Sequence, residues 1–185
     1  DNTVEKAETV LSISLTRTRT SLGEKQGDTY PAYWSAGDRI VVNGVESEEA
    51  VIDAADASNA RFVLGKSLDY PYYITYPFTP STTAETPIVE FPAEQNYVDG
   101  TFATGSAPMC GYMESGKEAS LSHLAAILRF SVKAKSGGAI LKKIVITSTS
   151  GAKIAGEFAV DCKNATIAPT EATQSVITYL LPDNF

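Results

Sequence analysis

The feature that most constrains this chain is a repeated alternation of apolar and polar side chains within short segments. In the first of these segments Leu11, Ile13 and Leu15 are apolar, and serines stand between them. Successive side chains of a β-strand point to opposite faces of a sheet, so this segment buries one face and exposes the other. The pattern predicts a half-buried strand near the start of the sequence.

Further strand-like segments follow along the chain, and turn residues separate them. Asn43-Gly44 between two valines is the clearest hairpin turn, because both residues tolerate a positive φ. Residues 46–60 fit a helical turn or a loop, and residues 121–126 fit a helical turn. The strand-like segments lie at 39–42, 61–64, 70–78, 88–91, 109–113, 128–133, 141–148, 154–160 and 176–181.

This spacing of short strands predicts an all-β sandwich or barrel of about seven to ten strands with little helix. A length of 185 residues suits one large domain, or one domain with an appendage. Residues 1–8 are polar and charged, which indicates a flexible N-terminal arm. We therefore expect residues 9–185 to form the β domain.

The charge balance disfavours two classes of partner. The formal net charge is −7 and the isoelectric point is about 4.7. A phosphate backbone or an anionic lipid surface repels such a protein unless a local basic patch overrides the net charge. The tightest basic cluster, Lys142 and Lys143, lies among apolar residues, which indicates a solvated strand face. We expect no nucleic-acid partner.

The sequence offers little for catalysis or for a cofactor. The single histidine, His123, lies in a mostly apolar stretch without the nucleophile motif G-x-S-x-G. Gly65-Lys66-Ser67 follows a strand, but Ala60 stands where a phosphate-binding loop needs glycine. Asp53 and Asp56 lack the spacing of a calcium loop and indicate an acidic surface loop. We expect no catalytic, metal or cofactor-binding residues.

The two cysteines, Cys110 and Cys162, leave two interpretations open. They are too few for a disulfide scaffold, and their spacing does not suit a zinc site. They can pair in an oxidising compartment. Each also lies beside strand-like residues, where a lone cysteine is usually a small buried hydrophobe.

Aromatic residues concentrate in residues 70–78 and suggest a ligand surface. Alternation places the even-numbered positions on one face, which we interpret as sheet core. Tyr73 has the opposite parity and is the candidate ligand-contact residue, because aromatic rings stack on sugars and anchor partners. The even-numbered set is Tyr70, Tyr72, Ile74, Tyr76 and Phe78.

Several of these segments, in this order and spacing, resemble the N-terminal domain of fimbrillin-like surface lipoproteins of Bacteroides-type bacteria. The likeness covers most of residues 9–182. The segments that carry it are TRTRT at 16–20, WSAGDRIVV at 34–42, the aromatic strand at 72–78, SLSHLAAILRF at 120–130, IAGEF at 154–158 and LLP at 180–182.

The resemblance implies a transthyretin-like Greek-key β-sandwich and export to the outer membrane and the fimbrium, with a removed N-terminal segment carrying a lipid anchor. It also implies assembly by strand exchange, in which the first strand is cut away after an arginine and a neighbouring subunit fills the groove. The matching arginines are Arg17 and Arg19, and the exchanged strand spans residues 10–16. We expect the family's second domain to lie outside this sequence.

The leading hypothesis is therefore a non-enzymatic structural and adhesive subunit of a fimbria, which contacts other subunits and a host or bacterial surface protein or glycan. A rival hypothesis is a surface carbohydrate-binding module that uses exposed aromatics of residues 70–78. A third is a hydrolase with an unrecognised site.

Overall fold

The structure is a computed structural model that describes residues 8–15, 21–22, 32–133 and 137–183. These residues form strands and no helix, so the predicted all-β class is confirmed. Ten strands have four or more residues, and the others are shorter.

The strands are numbered here in chain order. Their bounds are β1 Thr9–Ser14, β2 Ser21–Leu22, β3 Ala32–Tyr33, β4 Val41–Val42, β5 Val45–Glu46, β6 Val51–Ile52, β7 Asn59–Leu64, β8 Tyr72–Tyr76, β9 Ile88–Phe91, β10 Glu94–Val98, β11 Thr101–Phe102, β12 Met109–Met113, β13 Glu118–Ser120, β14 Ser122–His123, β15 Lys143–Thr147, β16 Ala155–Asp161, β17 Thr166–Gln174 and β18 Val176–Leu180.

Hydrogen bonding groups these strands into sheets. The first sheet has the order β13-β1-β7-β6 and the second has β14-β12-β8-β4-β5. The third sheet is β17-β16-β9 and the fourth is β11-β10-β18-β15, while β2 and β3 form a separate pair.

The first and second sheets enclose the main core, as a β-sandwich requires. Trp34 is buried in this core, with its ring edge-on to Phe62 at 4.9 Å and to Tyr76 at 5.7 Å between centroids. Such edge-to-face pairs stabilise a core beyond the area they bury. The main core consists of Leu11, Ile13, Leu15, Trp34, Ile40, Val42, Ala60, Phe62, Leu64, Tyr72, Ile74, Tyr76, Met109, Met113 and Leu121.

A second core lies on the opposite face of the second sheet, where it meets the third sheet. Phe91 and Phe158 pack edge-to-face at 5.2 Å, and Cys110 contributes from β12. Strands β8 and β12 therefore have cores on both faces, so the second sheet is a middle layer. The second core consists of Val89, Phe91, Cys110, Phe158, Val160 and Cys162.

The predicted Asn43-Gly44 hairpin is confirmed. Strands β4 and β5 pair antiparallel across it, and the two turn residues have φ values of 49° and 76°. Both values are positive, as a type I′ turn requires. A side chain on Gly44 would also meet the backbone nitrogen of Ala84 at 2.8 Å, so this position needs glycine for space as well as for φ.

The half-buried strand predicted at 128–133 is wrong. These residues form no strand, and Leu128, Phe130 and Val132 are 64%, 48% and 60% exposed. Alternation gives the face that a side chain would take in a strand, but a strand also needs a hydrogen-bonded neighbour. None of the strands in the described part of the chain pairs with residues 125–133. The helical turn considered for residues 121–126 is replaced by the short strand β14, which pairs with β12.

Candidate functional site

The first candidate site is strand β1, the segment that the family resemblance marks for exchange. It occupies an interior position in the first sheet. It pairs antiparallel with β7 over six residues and parallel with β13 over three. An interior strand satisfies backbone groups on both neighbours, so its loss would leave two rows of unpaired donors and acceptors.

The inward side chains of β1 lie in the main core. Leu11, Ile13 and Leu15 are 1%, 1% and 4% exposed, as their alternation predicts. The indole nitrogen of Trp34 donates a hydrogen bond to the carbonyl oxygen of Ile13 at 3.3 Å. Trp34, which contacts two aromatic rings in the main core, is therefore also hydrogen-bonded to the backbone of β1.

Both ends of β1 are held by hydrogen bonds outside the regular sheet ladder. At its start, the backbone nitrogen of Thr9 donates to Lys66 O at 3.2 Å, and Leu68 N donates to Thr9 Oγ1 at 2.9 Å. Just after its end, Leu15 N donates to Ser58 O at 2.9 Å. The segment 65–67, which resembled part of a phosphate-binding loop, here lies in the turn that holds the start of β1.

The candidate processing residues Arg17 and Arg19 lie outside the described residues. They fall in the sequence between Leu15 and β2. Thr16, which the sequence placed at the end of the first strand, is also outside the described residues. Strand β1 ends at Ser14.

The second candidate site surrounds Tyr73 on β8. As its parity predicted, Tyr73 lies on the face opposite Tyr72 and Ile74, but it is half-buried and packs against the second core. Its ring centroid lies 5.4 Å from that of Tyr112 on the neighbouring strand β12. Asn43 fixes the strand here: its side chain accepts from Tyr73 N at 2.9 Å, and its backbone nitrogen donates to Tyr73 O at 3.1 Å.

An open pocket of about 240 Å³ lies against Tyr73. One wall comes from the segment before β9, which Thr82 anchors by accepting from Ile88 N at 2.6 Å and donating to Ile88 O at 2.7 Å. The volume is below the roughly 300 Å³ at which small-molecule sites begin, so the pocket suits part of a ligand such as one sugar ring. We call it the Tyr73 pocket; it is lined by Tyr73, Ala84, Glu85, Pro87, Val160, Asp161 and Cys162.

Charged groups surround the aromatic pair beside this pocket. Lys163 Nζ lies 5.2 Å from the ring centroid of Tyr112 and 3.3 Å from Glu114 Oε1. The hydrogen bond to Glu114 raises the pKa of Lys163, so the amine stays protonated. Hydrogen bonds donated by Asn164 lower the pKa of Asp161 and hold its carboxylate ionised. The arrangement combines aromatic faces with charged donors and acceptors, which suits a polar ligand with a stackable face.

The other aromatics of residues 70–78 do not form a single platform with Tyr73. Tyr72 and Tyr76 are buried in the main core, as the interpretation of the even-numbered positions as sheet core predicts. That interpretation is wrong for Tyr70 and Phe78, which are exposed at the two ends of the segment, where β8 has ended. Tyr70 stacks on Tyr72 at 4.1 Å between centroids, and its hydroxyl donates to Gly116 O.

The remaining residues singled out in the sequence have structural positions. His123 lies on β14, opposite Met109. Asp56 accepts hydrogen bonds from Ser58 and Asn59, which lower its pKa, and thus caps a surface turn. Within the described ranges, no group of three or more candidate ligands is placed to bind a metal ion. No helix there has the length and apolar character to cross a bilayer.

Sequence reasoning missed the partners of Tyr73. Tyr112, Asp161 and Lys163 come from strands or turns far from β8 along the chain, and local patterns carry no information about such pairings. In comparisons with known proteins, no family model, curated protein or solved structure matches this chain.

Proposed function

We propose that this chain is a non-enzymatic structural and adhesive subunit of a cell-surface fimbria, and that it assembles by exchange of its first strand. The observation that carries the proposal is the interior position of β1, with its three apolar side chains buried in the main core. A strand in this position cannot leave without opening a groove that another strand must fill.

The free energy of burial favours filling that groove with another strand over leaving it open. Burial of a leucine or isoleucine side chain contributes about 1.5–3 kcal/mol, so the three side chains of β1 together contribute roughly 5–9 kcal/mol. A donated strand with apolar residues at alternate positions restores this burial and the lost backbone hydrogen bonds. Strand addition to an open sheet is a general mode of protein association.

Proteolysis after Arg17 or Arg19 would make β1 replaceable. A cut there separates β1 covalently from the rest of the domain, and only non-covalent contacts then retain it. Export to the outer membrane, a lipid anchor that precedes the mature chain, and fimbrial partners belong to the same proposal and rest on the family resemblance.

Processing can be tested on protein taken from the cell surface. N-terminal sequencing should find a chain that begins at Thr18 or Thr20, and a variant with Arg17→Lys and Arg19→Lys should lack that product after an arginine-specific protease acts. The lysine pair preserves charge and therefore serves as the matched control. An intact lipidated N-terminus on subunits within assembled fimbriae would contradict the proposal.

A second candidate function, glycan contact, is favoured by the Tyr73 pocket. The half-buried ring of Tyr73 borders an open pocket that Glu85 and Asp161 also line, and carboxylates can accept hydrogen bonds from sugar hydroxyls. Binding on a glycan array should disappear with Tyr73→Ala and persist with Tyr73→Phe, because the latter keeps the ring. Phe78→Ala, which removes an exposed ring elsewhere, is the control. Equal binding by Tyr73→Ala and the unmodified protein would exclude the site.

A further inference from the structure

The two cysteines, which are far apart in the sequence, meet in the second core. Cys110 lies on β12 of the second sheet, and Cys162 directly follows β16 of the third sheet. Both thiols are free and buried, and both side chains belong to the second core. Cys110 lies opposite Thr75 on the neighbouring strand β8, next to Ile74. The Cys162 thiol is also within donating distance of Ile74 O, at 3.7 Å.

We propose that Cys110 and Cys162 form an intramolecular disulfide that joins the second sheet to the third. The Cys162 sulfur reaches the carbonyl oxygen of Ile74, and the next residue, Thr75, lies opposite Cys110, so the cross-link joins positions that the strand register already brings together. It would close a loop that runs from β12 to the end of β16. This loop contains the exposed apolar residues Ile127, Leu128, Phe130 and Val132, which pair with no strand of the described chain.

Access to the pair comes from one side. Cys162 lines the Tyr73 pocket and is 5% exposed, whereas Cys110 is 1% exposed. Cys162 is therefore the sulfur that an external reagent reaches, and Cys110 is the resolving residue. The contact between the two thiols lowers the pKa of Cys110, although burial opposes this effect, and together with burial it raises the pKa of Cys162. Access and not thiolate fraction therefore makes Cys162 the first sulfur to react, and the lowered pKa of Cys110 favours its later attack as the resolving thiolate.

The oxidant is a disulfide of the class R–S–S–R, such as oxidised glutathione. The Cys162 thiolate attacks one sulfur of the reagent, forms a mixed disulfide and releases RS⁻. The Cys110 thiolate then attacks the Cys162 sulfur, forms the protein disulfide and releases the second RS⁻. The two thiol protons end on the two released RS⁻ groups, so two protein thiols and one R–S–S–R give one protein disulfide and two R–SH.

The test exposes the folded, reduced chain to oxidised glutathione. We expect both thiols to disappear from a thiol titration, the mass of the monomer to fall by about 2 Da, and a digest to contain a peptide in which Cys110 is linked to Cys162. Retention of two free thiols, a protein that carries stable glutathione adducts, or a disulfide-linked dimer would overturn the proposal. Because the reaction is carried out on purified protein, its outcome is independent of export and of fimbrial assembly.

Single alanine variants test the assigned order of attack. Cys110→Ala should accumulate one glutathione on Cys162, because the resolving thiol is absent. Cys162→Ala should react at least about tenfold more slowly, because Cys110 is shielded from the pocket. Equal rates of adduct formation in the two variants would contradict the assignment of Cys162 as the entry point. Circular dichroism of each variant confirms that it is folded before the rates are compared.

Discussion

Replacing Ile13 with alanine tests whether β1 is an integral part of the main core. Ile13 is 1% exposed, and its backbone carbonyl accepts the hydrogen bond from Trp34. Ile13→Ala removes three carbon atoms. At about 0.8 kcal/mol for each buried carbon, the lost transfer free energy is about 2.4 kcal/mol. The residual cavity adds a cost that scales with its volume, which brings the expected loss of unfolding free energy to about 4 kcal/mol.

The assay is urea unfolding followed by fluorescence. The chain has one tryptophan, Trp34, which lies beside the altered residue and reports on the main core. With an m-value of about 2 kcal/mol/M, the midpoint should fall by about 2 M. Ser12→Ala is the matched control, because Ser12 is the neighbouring residue on the exposed face of the same strand. Equal stabilities of the Ile13→Ala and Ser12→Ala variants would refute the placement of β1 in the core.

Two further predictions concern backbone packing and pH. Gly156→Ala should lower the unfolding free energy by about 3 kcal/mol more than Gly116→Ala in thermal denaturation. Both glycines have a positive φ, so both substitutions strain the backbone. At Gly156 the new methyl group would also meet the backbone oxygen of Ala172 at 2.1 Å, whereas at Gly116 it would meet no atom within 4 Å. Similar losses in the two variants would contradict that close approach. Burial, reinforced by the hydrogen bond from Tyr76 to Asp38 at 2.7 Å, raises the pKa of Tyr76. An unfolded tyrosine ionises near pH 10, whereas the folded Tyr76 ionises at a higher pH. The stability that Tyr76 contributes below about pH 10 should therefore fall by about 1.4 kcal/mol for each pH unit above 10. Urea unfolding should show that the difference in unfolding free energy between the unmodified protein and Tyr76→Phe becomes smaller as the pH rises above 10. A difference that stays constant over that range would contradict the raised pKa of Tyr76.

The parts of the fold that the sequence predicted are those where local pattern and tertiary environment agree. Strand β1 alternates between a buried and an exposed face, and Asn43-Gly44 has residue types that suit positive φ. The aromatic strand β8 lies between Pro71 and Pro77, and its even-numbered positions Tyr72, Ile74 and Tyr76 are buried as predicted. In each case short-range sequence information was sufficient.

The parts that the sequence did not predict depend on which strands become neighbours. Strand β17 is polar and contains Pro169, so it carried no strand pattern, yet it pairs with β16 at the edge of the third sheet. An edge strand tolerates proline because one side of its backbone needs no partner. Residues 128–133 show the reverse case, a strand-like pattern without a neighbour in the described part of the chain.

The same limitation applies to the candidate sites. Alternation assigned Tyr73 to the face opposite the main core, but it did not indicate that a third sheet would cover part of that face. The contact between Cys110 and Cys162 arises only because the third sheet packs there, so the sequence left their pairing open. The buried residues Leu11, Ile13 and Leu15 were predictable because a single strand carries their pattern.

Binding of a β1 peptide to the processed domain tests the central claim most directly. A labelled peptide of residues 9–15 is added to the chain after cleavage by an arginine-specific protease, and fluorescence anisotropy follows its incorporation. We predict saturable binding that returns the Trp34 environment to that of the uncleaved chain. A matched peptide in which the apolar residues are moved by one position should not bind, because a shift of one residue turns them to the other face. Equal binding of the two peptides, or binding of neither to a cleaved domain that has lost β1, would contradict the account.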